Sequence, residues 1–216
     1  MNNNRAYKWL TEKLSDKENF SSVKIDDCGI MNISRIEGPK LRLIGSSLEI
    51  FTLNDVVNLA DLDHIDFILH VHKDPFIYGE VFEYLDSKRK VVGGYGDVFR
   101  IVERHHNWPY LPKDVQFIKR GLEQHDKVKN VRRLDTKRYE VSRYGLETVT
   151  IVAVDDYDIV AESIRSTLDK YKKFDAVFKA NPYGKISSSA YNLARNLNIK
   201  VLRWSELLGQ LNNKWN

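Results

Sequence analysis

Residues 173–211, KFDAVFKANPYGKISSSAYNLARNLNIKVLRWSELLGQL, decide the fold, because they predict a strand, a helix, a strand and a short helix in succession. Residues 64–102, HIDFILHVHKDPFIYGEVFEYLDSKRKVVGGYGDVFRIV, predict the same order. At a constant offset of 109 positions the two stretches match in acidic and apolar residues: Asp66 with Asp175, Ile68 with Val177, Ile77 with Ile186, and Asp97 with Glu206. Such self-similarity indicates one α/β unit that occurs twice.

A second match lies upstream of the first. Residues 141–144, VSRY, align with residues 33–36, ISRI, at an offset of 108, and both stretches follow a predicted hairpin turn. We therefore predict an α/β protein of two similar halves, 1–108 and 109–216, joined through the proline-containing segment 105–114. The alternative is that the halves look alike only because all strand-helix-strand units do.

Each half is predicted as a mixed sheet with flanking helices, in the order helix, hairpin, strand, helix, strand, helix, strand. We expect the two halves to pack as a tandem pseudo-dimer. With 216 residues, 42% of them hydrophobic, the chain can bury a core in one domain or in two small ones. The single cysteine allows no internal disulfide, and the first ten residues lack the apolar segment of a signal peptide. The expected location is the cytoplasm, without a membrane partner.

The closing segment carries a family resemblance. It combines Gly184-Lys185-Ile186-Ser187, a helix with Ala190 and Ala194 on one face, the strand residues Ile199 and Val201, and Leu207-Leu208. This pattern resembles the C-terminal part of Mrr-type nuclease domains, and the predicted order of each half is similar to the restriction-endonuclease-like fold. The resemblance implies a protein that acts on nucleic acid.

The catalytic motif of that family is incomplete in this chain. Such nucleases hold a divalent cation with carboxylates on two core strands and place a lysine beside the attacking water. The corresponding strand of the second half, VTIVAV, contains neither Glu nor Lys. The carboxylates available in the first half are Asp26, Asp27, Glu37 and Glu49, with Lys40 nearby. A cofactor, Mg²⁺, is expected only if the chain is a divergent nuclease.

Basic residues are concentrated in the second predicted hairpin. The segment 127–143 carries a net charge of +5, whereas the whole chain carries only +4. Lysine and arginine on a two-stranded ribbon favour contact with phosphates, although a charged solvent-exposed hairpin is the plain alternative. The predicted nucleic-acid-binding residues are Lys127, Lys129, Arg132, Arg133, Lys137, Arg138 and Arg143.

Polar residues follow the first parallel strand of each half. Ligands of open α/β sheets bind at the carboxyl ends of such strands. The predicted ligand edge consists of His70, His72, Lys73, Lys179, Asn181 and Lys185. His70 and His72 could share a metal with Asp66, but the second half has Lys179 and Asn181 at the matching positions, so we predict no metal site.

These patterns favour a nucleic-acid-associated binding protein, resembling a restriction-endonuclease-like domain that lacks a complete catalytic set. Two other classes remain open, a divergent metal-dependent nuclease and a protein-binding module such as an inhibitor or an assembly subunit. DNA, RNA or a protein is therefore the expected partner.

Overall fold

A computed structural model of the chain describes residues 4–59, 62–104 and 108–215. It divides into two compact units, Met1–Pro112 and Lys113–Asn216. The division falls a few residues after the predicted one at 108, because Trp108 and Tyr110 bind to the first unit. The indole nitrogen of Trp108 donates to the Arg89 carbonyl over 2.7 Å, and the Tyr110 hydroxyl donates to the Asp97 carboxylate over 3.0 Å.

The first unit contains four α-helices and seven strands among its described residues. In chain order they are α1 (Asn4–Leu14), β1 (Phe20–Ile25), β2 (Met31–Arg35), β3 (Leu41–Ser46), β4 (Ile50–Phe51), α2 (Leu53–Val57), β5 (Phe67–His70), β6 (Phe76–Ile77), α3 (Gly79–Ser87), β7 (Val91–Gly93) and α4 (Tyr95–Arg104). A 3₁₀ turn, Leu62–His64, precedes β5.

The second unit repeats the order. Its elements are α5 (Lys113–Glu123), β8 (Val128–Arg133), β9 (Arg138–Arg143), β10 (Leu146–Val154), α6 (Ala161–Tyr171), β11 (Ala176–Lys179), α7 (Ser188–Asn196), β12 (Lys200–Arg203) and α8 (Trp204–Gln210). The predicted class is confirmed: an α/β protein with two similar halves, each a five-stranded mixed sheet with flanking helices.

Both sheets have the same topology. The strand order is β1-β2-β3-β5-β7 in the first unit and β8-β9-β10-β11-β12 in the second. In each sheet the first three strands pair antiparallel and the last three pair parallel. The parallel strands are joined by helices, the usual crossover connection between parallel strands.

Helices cover both faces of each sheet. In the first unit α1 and α4 bury leucine, isoleucine and valine side chains against one face, and α2 and α3 cover the other. In the second unit α5 and α8 cover the face that includes Tyr139, Ile151 and Phe178. The apolar stripe of α5, formed by Val115, Ile118 and Leu122, recurs at helical spacing and is buried there.

Hydrogen bonds support the equivalence predicted between Asp66 and Asp175. The Asp66 carboxylate accepts from the backbone N–H of Arg42 over 3.0 Å, and the Asp175 carboxylate accepts from the backbone N–H of Thr150 over 2.7 Å. Each aspartate also donates its own backbone N–H to the carbonyl of the same partner. Both residues therefore fasten the start of a strand, β5 or β11, to the neighbouring strand with which it pairs in parallel, β3 or β10.

Arg35 and Arg143 also make equivalent hydrogen bonds in the two units. Nη1 of Arg35 donates to the carbonyl of Ile101 in α4 over 2.8 Å, and Nη1 of Arg143 donates to the carbonyl of Leu211 at the end of α8 over 3.1 Å. In both units this arginine ties the hairpin to the last helix. The matched ISRI and VSRY sequences are thus explained by a structural role.

The strands β1 and β8, which are equivalent edge strands of the two sheets, each show a shift in the register of pairing with the next strand. The shift lies between Phe20 and Ser22 in β1 and between Val128 and Asn130 in β8. These positions again differ by 108, the offset of the hairpin match.

Two helix starts are set by neighbouring contacts. The N-cap of α2 is Thr52, whose hydroxyl accepts from the backbone N–H of Asp55. Helix α6 begins only at Ala161, because Ile159 first forms a parallel bridge with Ile186. That bridge corresponds to the short β4–β6 ladder of the first unit.

Candidate functional site

A cleft of about 640 Å³ opens at the carboxyl ends of β10, β11 and β12. We call it the strand-end cleft. It lies within the second unit, on the sheet face that α5 and α8 cover. This edge of a parallel sheet is where α/β proteins place their ligands, because the loops that follow the strands can vary without disturbing the core.

The floor and walls of the strand-end cleft are largely aromatic. Tyr139 of β9 and Phe178 of β11 contribute to the floor, and Phe117 of α5 and Trp204 of α8 contribute to the walls. The ring of Trp204 lies 5.0 Å from that of Phe117 and 5.5 Å from that of Phe178. Trp204 can take this position because residue 121 is glycine: a Cβ there would lie 2.5 Å from the indole ring.

The rim of the cleft is charged. Lys113, Lys137 and Arg203 supply exposed or half-exposed cations, and Asp114 and Asp155 supply exposed carboxylates. Lys113 is the first residue of α5, where the helix dipole disfavours a positive side chain. A cation at that position does not serve the stability of the helix, and it adds positive charge at the mouth of the cleft.

Tyr139 is the least expected residue of the floor. Only 1% of its surface is exposed, and burial raises the pKa of its phenol to about 12. Among residues 4–59, 62–104 and 108–215 its hydroxyl has no hydrogen-bond partner. Among the described residues the fully buried side-chain atom without a partner belongs to Arg143, so the Tyr139 hydroxyl is not completely enclosed. Tyr139 is one of the residues that line the cleft.

The predicted ligand edge of the second unit is partly in the cleft. Lys179 and Asn181 line it, whereas Lys185 does not. Lys179 is only 5% exposed, and its ammonium donates to the carbonyls of Asp156 and Tyr157 over 2.8 and 2.6 Å. Lys179 thus fixes the position of the loop that follows β10.

The corresponding edge of the first unit has a different arrangement. His70 Nδ1 lies 3.0 Å from the His72 carbonyl, and burial lowers the pKa of His70. His72 Nε2 lies 3.7 Å from the Glu49 carboxylate, and Lys73 is exposed. The predicted ligand residues thus fall in both compact units. The first unit contains His70, His72 and Lys73, and the second contains Lys179, Asn181 and Lys185.

Three arginines of the basic hairpin donate to carbonyl or carboxylate oxygens of the protein itself. Arg143 is 4% exposed and donates to three backbone carbonyls, those of Glu147, Leu211 and Asn213. Arg138 donates to the fully buried carboxylate of Asp135 and to the carbonyls of Tyr171 and Lys173, which lie at the end of α6.

Arg133, the third of these arginines, donates to the carbonyls of Asp135 and Thr136 in its own turn. The hairpin also does not present one basic face. In β8, Arg132 pairs with Glu140 and Arg133 pairs with Tyr139, so consecutive arginines point to opposite faces of the sheet. Lys127, Lys129 and Arg132 are exposed, and of the seven predicted basic residues Lys137 lines the strand-end cleft.

The carboxylates considered for a nuclease do not converge. Asp26 accepts from the backbone N–H groups of Cys28 and Ile30 and so stabilises its own turn. Asp27 and Glu37 are exposed, and Glu49 lies beside His72. Within the described ranges, no three His, Cys, Asp or Glu side chains come together as a metal-binding group.

Sequence reasoning missed most of the cleft. Tyr139, Phe117, Trp204, Lys113 and Arg203 were not among the predicted site residues. One signal was available: Trp204 directly follows β12, as Tyr95 follows β7 after one residue, Gly94. The Phe117–Trp204 contact has a counterpart in the first unit, where Trp9 and Tyr95 lie 4.9 Å apart.

No helix in the described ranges is both long and apolar enough to cross a membrane. Comparison of the chain with protein-family models, with curated proteins and with solved structures finds no match, so the functional argument depends on the residues of the strand-end cleft themselves.

Proposed function

We propose that the chain binds nucleic acid and that the strand-end cleft is the centre of the binding surface. The observation that carries the proposal is the combination of rim cations with an exposed aromatic wall. Lys113, Lys137 and Arg203 can neutralise phosphates, and Phe117, of which 57% is exposed, offers a ring for stacking.

The proposal moves the contact surface away from the outer hairpin. Arg133, Arg138 and Arg143 bond to protein carbonyls and are therefore poor candidates for phosphate contacts. Lys127, Lys129 and Arg132 remain exposed on or beside β8 and can extend the basic surface. The similarity to restriction-endonuclease-like domains stays a prediction, supported here by the matching order of helices and strands.

Binding, and not cleavage, is the activity proposed. The carboxylates of the first unit that the resemblance would require serve a turn, as Asp26 does, or lie apart. A surface that binds phosphates through lysine and arginine needs no convergent carboxylates. A protein partner remains the alternative if nucleic acid does not bind.

The first test is the salt dependence of binding. Fluorescence anisotropy with labelled single-stranded and duplex oligonucleotides should show affinity that falls as salt rises, because bound phosphates release counterions. For a single strand, the variant Lys113→Ala/Lys137→Ala/Arg203→Ala should reduce the slope of log K against log salt by about 2. Lys8→Ala/Lys13→Ala/Lys24→Ala is the matched control, since it removes three exposed lysines from the first unit.

The control variant is expected to bind almost as the unaltered chain does. Equal loss of affinity in both triple variants would mean that binding depends on net charge alone and not on the cleft. Absence of any binding at low salt, together with a stable protein complex in a pull-down, would reject the proposal in favour of a protein-binding module.

A further inference from the structure

We infer that the strand-end cleft accommodates a single nucleoside phosphate, with its base against Phe117 and Trp204 and a polar base atom bonded to the Tyr139 hydroxyl. The ligand can be a free nucleotide or one nucleotide extruded from a strand, since both present the same chemistry. The strand form depends on the function proposed above, whereas the free form does not.

The first argument is the unpartnered Tyr139 hydroxyl. A hydrogen bond from a ligand to this hydroxyl would contribute about 0.5–1.5 kcal/mol, which a phenylalanine in the same place could not supply. Tyr139 lies on the floor of a 640 Å³ cleft and has no hydrogen-bond partner in the described part of the chain. A ligand that brings a donor or an acceptor to this depth would satisfy the hydroxyl.

The second argument is the shape and chemistry of the walls. Phe117, Phe178 and Trp204 form a row of rings in successive contact, and the outer ring, that of Phe117, is exposed. Stacking of a base on an aromatic side chain contributes about 1–3 kcal/mol. The cleft is within the roughly 300–1,000 Å³ range of sites for small organic ligands. It therefore fits a flat heterocycle better than an aliphatic chain.

The third argument is the charge pattern of the rim. Lys113, Lys137 and Arg203 are suited to a phosphate at the mouth of the cleft. Asp114 and Asp155 lie on the same rim and would repel a bare anion, but they can accept from amino or hydroxyl groups of a base or ribose. The mixed rim favours a nucleoside phosphate over inorganic phosphate.

The test compares ligands on the full chain. Isothermal titration calorimetry with the common nucleoside monophosphates, their nucleosides and inorganic phosphate should give measurable binding for at least one monophosphate. Its nucleoside should bind more weakly, and inorganic phosphate should compete poorly. Failure of every monophosphate to bind would overturn the inference, and so would equal competition by inorganic phosphate.

Two tyrosine variants separate a ligand contact from a structural effect. Tyr139→Phe should weaken binding about 5- to 30-fold, the equivalent of about 1–2 kcal/mol, without lowering the thermal midpoint, because the hydroxyl lacks a protein partner. Tyr110→Phe is the matched control, since its hydroxyl donates to Asp97 in the first unit. It should lower the stability of the first unit and leave nucleotide binding unchanged. Unchanged affinity of Tyr139→Phe would overturn the inference.

An aromatic pair completes the design. Phe117→Ala should weaken binding, whereas Tyr144→Ala, which removes another exposed ring of the second unit outside the cleft, should not. Equal affinities of Phe117→Ala and the unaltered chain would reject the stacking contact.

The two proposals can fail independently. If monophosphates bind through Tyr139 but oligonucleotides do not bind, the inference holds and the nucleic-acid function is rejected. If oligonucleotides bind through Lys113, Lys137 and Arg203 while Tyr139→Phe has no effect on either ligand, the function holds and the inference is rejected.

Discussion

Replacement of Arg143 by alanine is expected to lower the free energy of unfolding of the second unit by about 3–5 kcal/mol, the range for removing one partner of a buried charge interaction. The side chain is fully buried, and its donors meet the carbonyls of Glu147, Leu211 and Asn213 at 2.7–3.1 Å. Its Nη2 lies 2.9 Å from the Glu147 carboxylate, although not in hydrogen-bond geometry. Without the guanidinium these carbonyls lose their donors, and the hairpin is released from α8.

Urea unfolding with hydrogen exchange measured by mass spectrometry locates the loss. Residues 113–215 should lose protection in Arg143→Ala, and residues 4–59 should keep it. Arg132→Ala is the control from the same hairpin; its side chain is exposed, so a change of no more than about 0.5 kcal/mol is expected. If Arg143→Ala and Arg132→Ala had equal midpoints, Arg143 would not be the tie between hairpin and helix.

Gly184→Ala is expected to have the second large effect, a loss of about 3–5 kcal/mol, from left-handed strain and from disrupted bonds to a buried charge. Gly184 has φ +75, and a Cβ there would lie only 1.9 Å from the carbonyl oxygen of Tyr157. That carbonyl also accepts from the buried ammonium of Lys179. The added methyl group must displace the loop and so weaken both contacts.

Gly145→Ala provides the matched control. Gly145 also has a positive φ, +70, but a Cβ there would meet nothing within 4 Å. The expected loss of stability therefore comes from the left-handed backbone alone and is about 1–2 kcal/mol. The midpoints of thermal unfolding, measured side by side, test the difference. Equal losses in the two variants would contradict the close approach of the Tyr157 carbonyl to residue 184.

The repeated order of elements was predictable because local patterns determine it. Aspartates at strand starts and arginines in the hairpins recur at offsets of 109 and 108. Asp66 and Asp175 make the same bonds because the backbone geometry at a parallel strand start is the same in both units. The start of α6 is harder to predict, because the bridge between Ile159 and Ile186 joins residues that are distant in sequence.

The site was less predictable than the fold. Charge counting placed Arg143 at an interface, but the sequence does not show that its guanidinium meets carbonyls nearly seventy positions away. Likewise, the cleft joins the first turn of α5, the floor of three strands and the start of α8, which are far apart in the chain. Tyr139 reads as a core residue in an alternating strand, and only its missing partner distinguishes it.

The register shifts in β1 and β8 have a consequence for solubility. Each is one of the two terminal strands of its sheet, the other being β7 or β12, and therefore has unpaired backbone groups along one side. An irregularity near the start of such a strand bends it and interrupts the even spacing of N–H and C=O groups. A strand of another molecule cannot pair regularly with β1 or β8 at that point. This edge of each sheet is therefore protected from edge-to-edge aggregation at the same position.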